Sequence, residues 1–178
     1  MLRNHAPLPR LWFFTDDRLT LEAIAVACRA LPRGSGVVLR SRDSARMQAM
    51  LRIARPLARA GRIVPLISGE AATPGIGRHL GRSGRGLRAP GLTTASAHAV
   101  PELRRAERAG AMLVFVSPVF ATRSHPGART LGPLRLAALV RASRLPVVAL
   151  GGMTHRNWRR VRATGAYGWA AIDGLVQG

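Results

Sequence analysis

Residues 122–125 place four polar side chains directly after an apolar segment of the chain. They are Thr122, Arg123, Ser124 and His125, and they provide two hydroxyls, a guanidinium and an imidazole. These groups donate hydrogen bonds to anions, and a charged donor strengthens such a bond. The apolar residues 111–116 before them include Val and Phe, which predicts a buried strand. The pattern therefore predicts a loop at the end of a strand that binds a phosphate-sized anion.

A second loop of this kind follows the next apolar segment. Residues 145–150 predict a buried strand, Gly151 and Gly152 follow it, and Thr154 is a suitable N-cap for a helix. Backbone N–H groups at such a turn and helix start suit a phosphate. Glycine turns of this type also occur without a ligand, so each loop alone is a weak signal. Their succession after two strands favours an α/β protein with its site at the carboxyl ends of the strands.

Composition limits the partners that we expect. The chain has 28 basic residues, all arginine, against eight acidic ones, and a formal net charge of +20. Clustered cations would indicate a nucleic-acid partner, because they neutralise phosphates. Here the arginines are spread along most predicted helices, and aromatic residues make up only 4% of the chain, too few for a base-stacking surface. We therefore expect no nucleic-acid partner and a small anionic substrate instead.

Several other classes of site are disfavoured. The single cysteine, Cys28, lies in an apolar helical pattern, so we expect a core residue and no intramolecular disulfide. The five histidines are too scattered for a recognisable metal spacing. No apolar run reaches about 18 residues, as a membrane span requires. Residues 1–10 also lack the apolar part of a signal peptide. We therefore expect a cytoplasmic protein without a membrane segment.

Eight apolar segments predict strands, and most are separated by a single helical pattern. The predicted strands are residues 11–15, 36–41, 63–68, 75–81, 91–98, 111–119, 146–151 and 167–173. The predicted helices begin near Leu21, Ser44, Pro101, Leu134 and Thr154, with Ser44 as the expected N-cap of the second helix. No full helix fits after the third strand, and residues 82–90 are rich in Gly and Arg and predict a loop.

A reduced (β/α)8 barrel fits these segments better than an open sheet, because no dinucleotide-binding glycine motif follows the first strand. The prediction is a single α/β domain, residues 1–178, with residues 1–10 as an N-terminal arm. The last helix is expected to be missing, and the third and fourth helices to be shortened or absent. Because a bare parallel sheet exposes apolar side chains, we expect a homodimer to cover these flanks.

The ordered set of strand-end motifs resembles the thiamine phosphate synthase family, including its TenI-like thiazole tautomerase branch. The resemblance runs from about Leu11 to Leu175, and its motifs are FFTD, VVLRSRD, GRHLG, TASAH, SPVFATRSHPG, PVVALGGMT and GWAAIDGL. It implies a transferase of thiamine biosynthesis that binds phosphorylated pyrimidine and thiazole compounds. In the reaction that the resemblance implies, pyrophosphate leaves the methylene group of a hydroxymethylpyrimidine pyrophosphate, and the nitrogen of a thiazole phosphate attacks the carbocation-like centre.

The resemblance also implies roles for residues at the strand ends. The catalytic candidates match charged residues and a serine of the family and are Arg40, Arg42, Ser96 and His125. The candidates for substrate and phosphate binding match hydroxyls, a glycine loop and the last strand and are Thr122, Ser124, Gly151, Gly152 and Ile172. We therefore expect an anion to bind between the two arginines after the second strand and the loop after the sixth.

The family's Mg²⁺ ligands are replaced in this chain. Ser68 and Gly69 stand where the family usually has Asn-Asp, and Gly84 or a neighbour stands where it has a second aspartate. Mg²⁺ requires hard oxygen ligands, typically one or two carboxylates. Glu70 and Asp43 are the remaining candidates, so Mg²⁺ is a candidate cofactor without its usual ligands. We therefore expect synthesis of thiamine phosphate to be weak and limited by metal binding.

Other departures leave two alternatives open. Asp173 replaces a serine at the thiazole-phosphate end, where it requires a neighbouring cation such as Arg156. A TenI-like tautomerase needs neither pyrophosphate nor Mg²⁺, but Pro118 stands where that branch has its catalytic histidine. The second alternative is a non-catalytic barrel that binds a phosphorylated metabolite.

Overall fold

A closed barrel of eight parallel strands forms the centre of the molecule. The computed structural model describes residues 7–69, 73–81, 91–124 and 127–175. The strands pair in chain order and β8 pairs with β1, which confirms the predicted barrel. Their bounds are β1 Leu11–Phe14, β2 Ser35–Leu39, β3 Ile63–Ser68, β4 Gly77–His79, β5 Thr93–Ala97, β6 Leu113–Val116, β7 Val147–Ala149 and β8 Gly168–Ala171.

The α-helices of the described residues follow five of the strands. They are α1 Leu21–Ala30 after β1, α2 Ser44–Arg59 after β2, α3 Val100–Arg108 after β5, α4 Gly132–Ala142 after β6 and α5 His155–Val161 after β7. The described residues between β3 and β4 contain no α-helix, in agreement with the reduced barrel. The predicted loop at residues 82–90 lies outside the described residues. None of the described helices has the length and apolar character of a membrane span.

Polar side chains fix the starts of three helices. Thr20 caps α1 by accepting a hydrogen bond from the Ala23 N–H at 3.1 Å. Thr154 caps α5 in the same way, as predicted. The predicted cap of α2, Ser44, is wrong, since the cap is Asp43. Its Oδ1 accepts from the backbone N–H groups of residues 45 and 46, at 2.8 and 3.3 Å. A carboxylate at this position also favours the positive end of the helix dipole.

Large aromatic side chains fill the interior of the barrel. Trp12, Phe14 and Phe115 are at most 1% exposed. The rings of Phe14 and Phe115 pack edge to face with centroids 4.8 Å apart, a favourable aromatic geometry. Gly36 opposite Trp12 is required by this packing, because a Cβ there would lie 2.0 Å from the indole ring. Side chains therefore fill the barrel interior around Trp12.

The outward faces of β1 and β8 are already covered within one chain. Phe13 is 0% exposed and packs in an outer cluster with Cys28 of α1, whose burial raises the pKa of its thiol to about 11. Trp169 of β8 is 8% exposed. The end of the N-terminal arm lies against the barrel: the carbonyl of Arg10 accepts from the Trp169 N–H at 2.9 Å. These faces need no second chain for their burial, so the homodimer stays a prediction.

Candidate functional site

A cavity of about 880 Å³ opens at the carboxyl ends of the strands. Seven of the predicted site residues line it, namely Arg40, Ser96, Thr122, Ser124, Gly151, Gly152 and Ile172. The structure does not bring Arg42 to them, because this side chain is exposed and does not line the cavity. His125 and Glu70 lie outside the described residues. Of the two arginines predicted to face an anion, Arg40 therefore lines the cavity and Arg42 does not.

Arg40 is held as a fixed cation beside the barrel interior. Its Nε donates to the Thr15 carbonyl at 2.9 Å, and its own backbone N–H donates to Thr15 Oγ1 at 2.8 Å. The guanidinium lies 5.3 Å from the centroid of the Phe14 ring, within range of a cation–π contact. Burial lowers the pKa of Arg40, an effect that the carboxylate of Asp16 opposes. Because a guanidinium stays protonated in proteins, this side chain offers a permanent positive charge to the cavity.

His79 was missed among the predicted site residues, although it belongs to the GRHLG motif. It lies on β4 and is 3% exposed, and its ring lies edge-on to Phe14 and Phe115. Burial, and secondarily the charge of Arg40, lowers the pKa of His79 from 6.5 to about 3. The imidazole is therefore neutral near pH 7. The sequence signal that could have identified His79 is an ionisable residue near the end of a predicted strand.

Two hydroxyls bracket the His79 ring. Thr94 Oγ1 lies 2.9 Å from Nδ1, and Ser96 Oγ lies 3.1 Å from Nε2. Two tautomers satisfy these two contacts, because each hydroxyl can donate or accept. The 3.4 Å hydrogen bond from Thr94 Oγ1 to the Arg78 carbonyl belongs to the tautomer with the proton on Nδ1, since a hydroxyl has a single proton. With the proton on Nε2, Thr94 donates to the ring, the ring donates to Ser96, and the Ser96 hydroxyl stays available as a donor to the cavity. With the proton on Nδ1, the Ser96 hydroxyl proton is used by the ring.

His98 is a second imidazole that lines the cavity and was not among the predicted candidates. Its Nδ1 is in hydrogen-bond contact with the carbonyl of Ser117. A carbonyl only accepts, so Nδ1 carries a proton, and in the neutral form of the ring Nε2 carries the lone pair. The backbone N–H of His98 donates to Glu102 at 2.6 Å, which fixes the loop after β5. The ring is therefore oriented as a proton acceptor at Nε2.

An ion-pair network joins three loops at the mouth of the cavity. Arg18 Nε donates to Asp16 Oδ1 at 2.7 Å, and its Nη2 lies 3.3 Å from Ser124 Oγ and 3.8 Å from Asp173. Arg123 Nε donates to the other oxygen of Asp173 at 3.3 Å. The hydrogen bond from Arg18 lowers the pKa of Asp16. The cation expected to neutralise Asp173 is thus supplied by Arg123 and Arg18.

The glycine loop after β7 packs directly on the loop after β6. Gly151 and Gly152 have φ angles of 90° and 61°, in the left-handed region that favours glycine. A Cβ on Gly152 would lie 2.3 Å from the Ala121 carbonyl oxygen. The side-chain amide of Asn157 donates to the Gly152 carbonyl at 2.7 Å, which ties the loop to α5. The two predicted phosphate loops therefore form one wall of the cavity.

The described donors around the cavity do not fit Mg²⁺. The only described carboxylate that lines it is Asp173, which is paired with Arg123, and no described group of three or more His, Cys, Asp or Glu could hold a metal ion. Asp43, a metal candidate, caps α2 and does not line the cavity. At the positions after β3 where the resemblance implies Asn-Asp, Ser68 offers only a hydroxyl and Gly69 no side chain. Mg²⁺ prefers carboxylate oxygens, so the described residues provide no conventional site for it.

Fold and cavity together define a (β/α)8 barrel with a site of arginines and hydroxyls at the carboxyl ends of its strands. A sequence model of the TMP-TENI family, described as thiamine monophosphate synthase, matches residues 79–175. The chain belongs to this family. The matched segment runs from His79 at the end of β4 through β8 and therefore includes most of the residues that line the cavity.

Curated relatives carry the same family name. A thiamine-phosphate synthase of Chlorobium luteolum is 30% identical over 188 residues, which cover 97% of this chain and 87% of the relative. A putative thiamine-phosphate synthase 2 of Aquifex aeolicus is 39% identical over 82 residues, 46% of this chain and 44% of the relative. The match to a thiamine-phosphate synthase of Caldivirga maquilingensis spans 40% of that protein. This chain thus spans less than half the length of these last two relatives.

Solved structures share the barrel at low sequence identity. A thiamine phosphate pyrophosphorylase from Pyrococcus furiosus superposes with a TM-score of 0.76 at 24% identity, covering 96% of this chain and 88% of that one. An N-acetylmannosamine-6-phosphate 2-epimerase from Clostridium perfringens gives a TM-score of 0.62 at 13% identity, with 93% and 87% covered. The fold is therefore common to proteins of different activity, and function must be argued from the site.

Proposed function

We propose that this chain is a transferase that joins a hydroxymethylpyrimidine pyrophosphate to a thiazole phosphate. The observation that carries the proposal is that the Arg40 guanidinium and the hydroxyls of Ser96, Thr122 and Ser124 line one cavity. Guanidinium and hydroxyl donors are suited to a pyrophosphate group. The synthase resemblance assigns pyrophosphate binding to Thr122 and Ser124 and catalytic roles to Arg40 and Ser96. Membership of the thiamine monophosphate synthase family supports the same reaction class.

In the proposed reaction, the bond between the pyrimidine methylene carbon and a pyrophosphate oxygen breaks, and its electron pair leaves with pyrophosphate. The thiazole nitrogen then shares its lone pair with the methylene carbon, and a C–N bond forms. The chain contributes by holding the two reactants in position and by stabilising the charge that develops on the leaving oxygen. Arg40 suits this task because Thr15 already holds its Nε, which limits reorganisation of the cation during the reaction.

Ser96 is the donor that we place closest to the barrel interior. An anion in the cavity favours the tautomer of His79 with the proton on Nε2, because only this tautomer leaves the Ser96 hydroxyl free to donate to the anion. His79 is then a positioning residue that orients Ser96 through the 3.1 Å contact. Because His79 stays neutral at physiological pH, it performs this role without adding a charge.

The test is a direct assay for thiamine phosphate. The purified chain is incubated with both substrates, with and without Mg²⁺, and the product is followed by chromatography and mass spectrometry. We expect product from the unaltered chain and a loss of about 10²-fold in turnover for Ser96→Ala, the loss typical of one removed oxyanion donor. The proposal is wrong if no product forms under any metal condition while both substrates bind.

The second candidate is a TenI-like tautomerase, which His98 favours. Its Nε2 carries the lone pair that proton abstraction requires, since Nδ1 faces the Ser117 carbonyl. His98 lines the cavity beside Pro118, where that branch has its catalytic histidine. NMR of a thiazole tautomer incubated with the chain distinguishes this activity from synthesis. A tautomerase function predicts conversion that is lost in His98→Asn and retained in Ser96→Ala.

A further inference from the structure

The acidic residues of this chain are almost all engaged away from the cavity. Seven of the eight lie in the described residues, and Glu70 is the eighth. Asp17 pairs with Arg46 at 3.3 Å, and Asp43 caps α2. Of the described carboxylates, Asp173 lines the cavity and Asp16 belongs to the ion-pair network at its mouth, and both accept from arginines within 3.3 Å. A divalent cation would have to compete with these guanidiniums for either carboxylate.

Arginines supply the positive charge in this region. Among the described residues, four arginines line the cavity, namely Arg40, Arg123, Arg129 and Arg135. Arg129 and Arg135 make no hydrogen bond or ion pair with another described residue. Both side chains are exposed at the mouth, so they reach an anion without breaking a described contact. A guanidinium binds two phosphate oxygens at once through its planar pair of N–H groups.

We propose that the cavity binds the pyrophosphate group of its substrate without a divalent metal, through Arg40, Arg129 and Arg135. The inference rests on the proposed function, since it takes a pyrophosphate ester as the substrate. The three guanidiniums neutralise the diphosphate, and the hydroxyls of Thr122 and Ser124 complete its hydrogen bonds. The sequence led us to expect a site limited by metal binding. In the proposed arrangement Arg129 and Arg135, which were not among the predicted residues, supply the positive charge in place of the metal.

Calorimetric titration with inorganic pyrophosphate tests the proposal. Titrations are run in EDTA and in millimolar Mg²⁺ with the unaltered chain, Arg129→Gln, Arg135→Gln and the control Arg52→Gln. Arg52 is exposed on α2 and does not line the cavity, so its replacement removes the same charge elsewhere. We expect binding in EDTA within about threefold of that in Mg²⁺, about tenfold weaker binding in each cavity variant, and little change in the control.

The outcomes separate this inference from the proposed function. Binding that requires Mg²⁺ and is lost in Glu70→Gln would overturn the metal-free site and leave the transferase proposal standing. Equal weakening in Arg52→Gln would show that the net charge of +20, and not the cavity, attracts the anion, and would also overturn it. Failure to bind pyrophosphate in any condition, together with no thiamine phosphate in the product assay, would remove the proposed function as well.

Discussion

The hydroxyl oxygen of Ser96 lies 3.1 Å from Nε2 of His79, at the boundary between the packed barrel interior and the cavity. This contact makes the orientation of Ser96 depend on a buried neutral ring. The His79 ring is in turn held between Phe14 and Phe115, so the interior packing of the barrel determines where the hydroxyl lies.

The first prediction concerns this pair. Ser96→Ala removes the donor, and His79→Leu removes the group that orients it, so each should lower turnover or, without turnover, pyrophosphate affinity. Because His79 acts on the ligand only through Ser96, the loss of free energy in the double variant should equal that in Ser96→Ala within about 0.5 kcal/mol. A double-mutant cycle measures this coupling. Additive losses would mean that His79 acts independently of Ser96.

The second prediction is a loss of folding stability in mild acid. The pKa of folded His79 is about 3, against 6.5 for an ordinary histidine, so between these values the unfolded chain binds a proton that the folded chain does not. Stability therefore falls as the pH drops below 6.5, by up to about 1.4 kcal/mol per pH unit from this one group. Urea unfolding between pH 5 and 6.5, values at which most carboxylates remain ionised, isolates the effect. In His79→Gln the slope should be shallower by that amount.

The third prediction compares two arginines that the sequence treats alike. Arg40 lines the cavity, whereas Arg42 is exposed outside it. Arg40→Ala should weaken pyrophosphate binding at least about tenfold, since a charge-assisted hydrogen bond contributes about 1.5 to 3 kcal/mol. Arg42→Ala should leave the affinity nearly unchanged. Calorimetric titration measures the pyrophosphate affinity of both variants. An equal loss of affinity in the two would show that Arg42 also contacts the anion and would contradict its position outside the cavity.

The fourth prediction separates a steric contact from backbone strain. Gly152→Ala places a Cβ 2.3 Å from the Ala121 carbonyl at a φ of 61°, whereas Gly34→Ala meets nothing within 4 Å at a φ of 77°. Both variants should lose the roughly 1 to 2 kcal/mol that the left-handed conformation costs a residue with a side chain. Only Gly152→Ala should lose more and should also weaken phosphate binding. Thermal unfolding and titration with a thiazole phosphate measure the two effects, and equal behaviour would exclude a tight loop contact.

The fifth prediction concerns the restoration of a metal ligand. Gly69 has a φ of 137°, so Gly69→Asp is strained and should cost about 1 to 3 kcal/mol of stability. Ser68 lines the cavity, so Ser68→Asp should place a carboxylate there without this strain. We expect Ser68→Asp to make pyrophosphate binding sensitive to Mg²⁺ and Gly69→Asp mainly to lower the melting temperature. The reverse pattern would show that the family's aspartate position can be restored at residue 69.

The barrel was predictable because its signals are local. Each buried strand is a short apolar run, and Thr154 marks the start of α5 by its own hydroxyl. The cap of α2 was assigned one residue too late, because Asp43 and Ser44 are both good N-caps and the sequence does not state which side chain faces the free N–H groups. The observed strand bounds differ from the predicted ones by a few residues, because an apolar run does not mark the residue at which strand pairing ends.

The site was predicted only in part because its geometry is non-local. Arg40 and Arg42 are two residues apart, yet one lies in the cavity and the other outside it. His79 and Ser96 meet across β4 and β5, and Arg129 and Arg135 reach the cavity from the loop after β6 and from α4. Asp173 pairs with Arg123, which is 50 residues away along the sequence, and with Arg18, which is still farther away. Such contacts depend on the closure of the barrel and leave no periodic pattern in the sequence.

The packing of Trp12 against Gly36 fills the barrel interior below the cavity. Phe14 and His79 line the cavity and belong to the same packed interior. Under the proposed function two reactants share this space, and the one that lies against Phe14 and His79 is the more deeply placed. An ordered sequence of binding and release is then the kinetic behaviour expected from a barrel that is filled at one end.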